Sequence, residues 1–144
     1  MISDLYQEII LDHYRHPRGQ GTLDEPKIHH EGVNPLCGDE VILELRVEDG
    51  RISDICFGGR GCAISQASAS MMVESVKGKT LEEVRALIQK VYAMLRGELT
   101  EELEELGELS ALAGVSQVPV RVKCASLAWH TLEDALSQLN HEGK

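Results

Sequence analysis

A chain of 144 residues with 42% hydrophobic content is long enough to bury a core without disulfides, and its four cysteines are free for other work. A formal net charge of −10, with no run of Lys or Arg, sets it against the phosphate backbone of nucleic acid and favours a basic protein partner or a metal ion. No apolar run approaches the roughly 18 residues of a membrane span, and the N-terminus shows no basic region followed by an apolar one, so one domain over 1–144 in a reducing cytoplasm is expected.

Ile2, Leu5, Tyr6, Ile9, Ile10 and His13 recur at helical spacing behind Ser3 or Asp4 as a cap, which predicts a helix stopping near His16-Pro17. A polar loop over 18–26 leads to an extended stretch, Lys27 to Val33, that suits an edge strand, although His29 and His30 have the look of loop residues. From Val41 the period becomes two: Val41, Leu43, Leu45 and Val47 alternate with Ile42, Glu44, Arg46 and Glu48, a strand with one buried face. Asp49-Gly50 offers the positive-φ pair of a tight hairpin, and Arg51 to Phe57 returns as the partner strand.

Beyond Gly58-Gly59-Arg60-Gly61 the period is helical. Ala63 to Val76, rich in Ala and Ser, suits a helix packed close to the sheet and ended by Gly78. Thr80-Leu81-Glu82-Glu83 reads as a capping box that opens a helix to about Arg96. Glu98 to Glu108 carries six glutamates around Leu99, Leu103, Leu106 and Leu109, the pattern of a short helix with a solvated face. The last helix starts near Pro119 and shows an apolar stripe at Val120, Cys124, Leu127, Ala128, Thr131, Leu132, Ala135 and Leu139. Trp129 and His130 fall off that stripe, which predicts exposure.

Three cysteines stand where a ligand would be useful. Cys37 lies in the turn Asn34-Pro35-Leu36-Cys37-Gly38-Asp39, Cys62 follows the glycines, and Cys124 sits in the first turns of the last helix. Their separations of 25 and 62 residues are too wide for the paired cysteines of a zinc finger, so the fold must bring them together. At a helix N-terminus the free N–H groups and the macrodipole favour a Cys62 thiolate. Asp39 can add a carboxylate. Three thiolates and one carboxylate suit a tetrahedral zinc, or an iron-sulfur cluster that must later leave. The same residues also admit inert readings: cysteine is among the most buried residue types, and an aspartate after glycine is a common turn residue. Cys56, on the second hairpin strand, reads as a packing residue.

The runs Asn34-Pro35-Leu36-Cys37-Gly38-Asp39, Gly61-Cys62-Ala63-Ile64-Ser65 with its continuation to Met72, and Lys123-Cys124-Ala125-Ser126-Leu127-Ala128-Trp129 together resemble the IscU/NifU/SufU family of iron-sulfur cluster assembly proteins. The likeness covers nearly the whole chain. It implies an α+β fold, a small three-stranded antiparallel sheet packed with helices in a SufE/NifU-like sandwich, with Cys37, Asp39, Cys62 and Cys124 forming a solvent-facing site at one end.

The chain looks closest to the SufU branch. Lys123 stands where IscU proteins carry a histidine before the third cysteine, so Asp39 is the implied fourth ligand. Only Pro119-Val120-Arg121 is similar to the chaperone-binding segment of IscU, and about 98–118 resembles a SufU-type insertion. The resemblance implies two activities. In one, a cysteine desulfurase supplies sulfur and a transient cluster, of 2Fe-2S type, is built on the four residues and passed to recipient apoproteins or carrier proteins. In the other, zinc holds the site and Cys37 accepts persulfide sulfur, which makes the chain a zinc-dependent sulfurtransferase. A purely structural zinc domain is disfavoured by the wide spacing and the aspartate.

Overall fold

The computed structural model describes residues 4–25, 27–35, 38–98 and 103–142. Helix α1 spans Asp4–Arg15 and stops two residues short of Pro17, since the residue before a proline is driven out of helical geometry. Three strands follow, β1 (Ile28–Asn34), β2 (Asp39–Glu48) and β3 (Arg51–Arg60), paired antiparallel in the order β1-β2-β3. Asp49 (φ 54°) and Gly50 (φ 74°) make the β2–β3 turn, with the two successive left-handed residues that a two-residue hairpin needs. With the helices below, this is the expected α+β arrangement.

The sheet departs from expectation in three places. His29 and His30 are strand residues, not loop residues, and pair with Glu44 and Leu43. β3 runs three residues past Phe57, because Gly58 and Gly59 remain in register with Ile42 and Val41. Gly59 sits at φ 109°, and a Cβ there would collide with the Glu40 carbonyl, so the close approach requires glycine. Alternation buries Val41, Leu43 and Leu45 as read from the sequence, yet Glu44 on the other face is buried too. It accepts hydrogen bonds from Leu23 N–H (2.8 Å) and His29 Nδ1 (2.7 Å) and pairs with Lys27 Nζ (3.0 Å). The outer edge of β3 is covered by the loop after α1: Phe57 N–H donates to Gly19 O and its carbonyl accepts from Gly21 N–H.

Helices α2 (Ala63–Val76), α3 (Leu81–Leu95) and α4 (Pro119–Glu142) complete the described core. The Thr80–Glu83 capping box forms in both directions at the start of α3. Ala67, Ser68, Ala69 and Ser70 of α2 are all buried, and their small side chains admit α4 closely. Ser68 Oγ donates to the Ala125 carbonyl (2.6 Å) and accepts from Trp129 Nε1 (3.0 Å). Trp129 is therefore fully buried, contrary to expectation: the Ala/Ser face leaves room for the indole, and Ser68 satisfies its N–H. His130 is exposed as read, with its Nδ1 2.8 Å from the Tyr92 hydroxyl.

The acidic stretch is not one short helix. Leu103–Gln117 winds as a 3₁₀ segment broken at Gly107 (φ 59°, ψ −131°), and Leu106, Leu109, Leu112 and Val115 bury in the common core. Leu99 lies outside the described residues. His13, fully buried, ties this segment to α1 and α2: the Ser70 hydroxyl accepts from Arg18 N–H and hydrogen-bonds His13 Nδ1 (2.8 Å), while Nε2 on the other side of the ring lies 2.7 Å from the acceptor Glu108 Oε1. Among the described residues no helix is long and apolar enough to cross a membrane.

Candidate metal centre

Asp39 opens β2 opposite Asn34, the last residue of β1, and the next pair along the sheet is Glu40 with Arg60 at the end of β3. The chain leaving β3 through Gly61 thus passes beside the Asp39 carboxylate. A Cβ at Gly61 would stand 2.7 Å from Asp39 Oδ1, so only a residue without one lets the carboxylate come this near. Cys62 then caps α2, with extended backbone (φ −71°, ψ 171°) and Sγ accepting from Ser65 N–H at 3.4 Å. Its own N–H donates to Asp39 Oδ1 at 3.0 Å, and its thiol faces Oδ2 at 3.8 Å.

Cys124 arrives from α4. It precedes Ala125, whose carbonyl takes the Ser68 hydroxyl, and that bond sets the register of α4 on α2. The side chains of Asp39, Cys62 and Cys124 each offer one donor atom, all within 4.8 Å of one another. Asp39 and Cys124 are 2% and 3% exposed, whereas Cys62 is half-buried, so the group opens to solvent on the Cys62 side.

These donors fit a metal. A tetrahedral ion with zinc–sulfur bonds of about 2.3 Å holds its ligands about 3.8 Å apart, inside the 4.8 Å within which these donor atoms lie and the same as the 3.8 Å between Cys62 Sγ and Asp39 Oδ2. Two thiols and a carboxylate at a helix N-terminus suit zinc or cluster iron, and three donors leave a fourth position. Cys37, expected there, lies outside the described residues. Its chain neighbour Gly38 is exposed, at φ 74°, and donates its N–H to the Asn34 carbonyl at 2.8 Å.

Cys56 is apart from this group. It faces Glu44 across β2–β3, five residues along β2 from Asp39, and burial pushes its thiol pKa up, as befits packing rather than ligation. Lys123 is exposed. A second set, His13, Glu74 and Glu108, also gathers donor atoms, but there the His13–Glu108 hydrogen bond already joins α1 to the 3₁₀ segment. Two contributors escaped the sequence reading. Gly61 makes room for Asp39, and Ser65, 1% exposed, has a hydroxyl with no hydrogen-bond partner. Both lie in the run Gly61-Cys62-Ala63-Ile64-Ser65, but the run by itself assigns neither a part in the centre.

The family model described as "NifU-like N terminal domain" matches residues 5–143. The chain is 38% identical over 137 residues to a Bacillus subtilis (strain 168) protein named zinc-dependent sulfurtransferase SufU, covering 95% of this chain and 92% of that one. It is 43% identical over 136 residues to a Thermotoga maritima protein named iron-sulfur cluster assembly scaffold protein IscU, covering 94% and 95%. The crystal structure of a nitrogen-fixing NifU-like protein (N-terminal) from Brucella abortus superposes with a TM-score of 0.88 at 26% identity, covering 97% of each chain.

Proposed function

The chain belongs to the NifU-like N-terminal domain family, and on that premise we propose that it is an iron-sulfur cluster assembly protein. It accepts sulfur from a cysteine desulfurase, then assembles a cluster at Cys37, Asp39, Cys62 and Cys124 and hands it to recipient or carrier proteins. The observation that carries this reading is the convergence of the Asp39, Cys62 and Cys124 donor atoms.

The residues suit a cargo that must leave. Thiolates bind soft iron-sulfur centres well, while a carboxylate is a harder and weaker partner for them. One Asp among three Cys gives the cluster a ligand that exchanges readily. For sulfur acceptance, the Cys37 thiolate attacks the outer sulfur of the desulfurase persulfide. A new S–S bond forms at Cys37, the donor's S–S bond breaks, and the donor cysteine departs as a thiolate. Gly38, exposed and in left-handed geometry, supports access at this turn.

A second reading, zinc-dependent sulfurtransferase, is favoured by the likeness to the Bacillus protein of that name. Asp39, Cys62 and Cys124 would hold the zinc, with Cys37 as exchangeable fourth ligand and sulfur acceptor. When bound there, zinc supplies a Lewis acid that keeps its thiol ligands deprotonated. In both readings 1–144 form one cytoplasmic domain in which about 98–118 are a subgroup insertion, supported by the burial of Leu106 and Leu109 with the residues of α1, α3 and α4.

The test is incubation with a cysteine desulfurase and cysteine, with and without ferrous iron and a thiol reductant that supplies the two electrons converting persulfide sulfur to sulfide, followed by mass spectrometry and visible absorbance. A cluster that passes to an apo-ferredoxin and is lost in Cys62→Ala supports assembly. Persulfide at Cys37 with no cluster supports the relay. Neither product would overturn both.

A further inference from the structure

We propose that Ser65 is a positioning residue of the metal-bound centre: its hydroxyl anchors the Asp39 carboxylate when that carboxylate serves as a ligand. The inference rests on the reading of Asp39, Cys62 and Cys124 as a metal centre and adds a residue to it.

Ser65 lies in the first turn of α2, 1% exposed, and its Oγ has no hydrogen-bond partner. Buried hydroxyls are nearly always paired, so an unpaired one calls for a partner to be identified. The position of this hydroxyl says which partner. A Cβ built on Gly61 would stand 2.6 Å from Ser65 Oγ and 2.7 Å from Asp39 Oδ1, so the hydroxyl and the carboxylate oxygen flank one small gap that Gly61 leaves open.

The two carboxylate oxygens of Asp39 face different ways. Oδ2 is the one toward the Cys62 sulfur, 3.8 Å away, and is placed to ligate alongside it. Oδ1 accepts the Cys62 N–H at 3.0 Å and borders the gap on the Gly61 side, and a carboxylate oxygen can accept more than one hydrogen bond. A ligating carboxylate needs its other oxygen held, because that hydrogen bonding fixes its orientation toward the metal. In the metal-bound centre the Ser65 O–H donates across the gap to Oδ1. Ser65 then serves both ligands, its backbone N–H on Cys62 Sγ and its side chain on Asp39.

The experiment measures zinc(II) affinity of the full chain by competition with a chromophoric chelator, and thermal stability of the metal-free protein, for wild type, Ser65→Ala, Asp39→Ala and Cys124→Ala. Ser65→Ala is expected to weaken zinc binding by about 10-fold or more while leaving metal-free stability unchanged or raised, since the hydroxyl it removes has no partner there. Affinity within about twofold of wild type would overturn the inference and leave a water-satisfied serine. Parallel loss of affinity and metal-free stability would also overturn it, as a merely structural role. If Asp39→Ala and Cys124→Ala bind zinc like wild type, the metal centre itself is wrong and the role of Ser65 falls with it.

Discussion

Cys62 and Asp39 hold each other twice: the Cys62 N–H donates to Oδ1 at 3.0 Å and its thiol faces Oδ2 at 3.8 Å. This pairing joins the start of β2 to the start of α2 and places a carboxylate and a thiol side by side without metal. Asp39→Ala leaves the Cys62 N–H without its acceptor, and a loss of about 1–3 kcal/mol of metal-free stability is expected in chemical denaturation. Asp39→Asn keeps an acceptor oxygen and should lose less, while both variants bind zinc more weakly. Equal stability of the alanine variant and wild type would contradict this.

Gly61→Ala tests the space beside that carboxylate. The new methyl would lie 2.7 Å from Asp39 Oδ1 and 2.6 Å from Ser65 Oγ, so one of them must move. A stability loss of about 1–3 kcal/mol is expected, with metal affinity falling in the same variant. Full metal affinity in Gly61→Ala would show that the carboxylate need not sit where it does.

Cys56→Ser separates packing from ligation. The side chain is 6% exposed, on β3 away from Asp39, so a hydroxyl there costs about 1–2 kcal/mol of stability through imperfect pairing with zinc or iron content unchanged. Metal loss in this variant would make Cys56 part of the centre.

Glu44 should give the fold an acid-sensitive joint. The Leu23 N–H, with His29 and Lys27, holds its carboxyl down at about 2, from an ordinary value near 4.5. A carboxylate lowered in the folded state adds stability above its unfolded value and loses it as pH falls through the folded one. His29, raised above 6.5 by Glu31 and then Glu44, contributes fully below 6.5 and less as pH climbs through its folded value. Glu44→Gln should therefore destabilise most between about pH 4.5 and 6.5, by about 1–3 kcal/mol, and its deficit should shrink toward pH 2. A deficit independent of pH would contradict the ionic account.

Much of this was legible in the sequence because local rules and the fold agree. The Thr80–Glu83 box, the Asp49-Gly50 turn and the Ala63–Val76 helix each follow from a few neighbouring residues. The motifs around Cys62 and Cys124 also pointed to one site, where the fold brings them together with Asp39. Other features depend on distant partners. Trp129 is buried because Ser68, 61 residues away, accepts its N–H, and Glu44 because Leu23, Lys27 and His29 converge on it. The stretch Glu98 to Glu108 looked like a solvated helix because its six glutamates outnumber its leucines, yet Leu106 and, just beyond it, Leu109 face a core supplied by other elements. Ser65 and Gly61 stand at the two ends of the run that carries the family resemblance, but the run gives neither a role, because that role lies in a gap between two chain segments.

The central claim is that Asp39, Cys62 and Cys124 form a metal centre together with Cys37. Its most direct test is the zinc, iron and acid-labile sulfide content of protein purified without oxygen or chelator, for wild type and for Cys37→Ala, Asp39→Ala, Cys62→Ala and Cys124→Ala. The expected result is stoichiometric zinc, or iron with matching sulfide, in wild type and its loss or loosening in every variant. Metal that is absent from wild type, or indifferent to these four residues, would contradict the account.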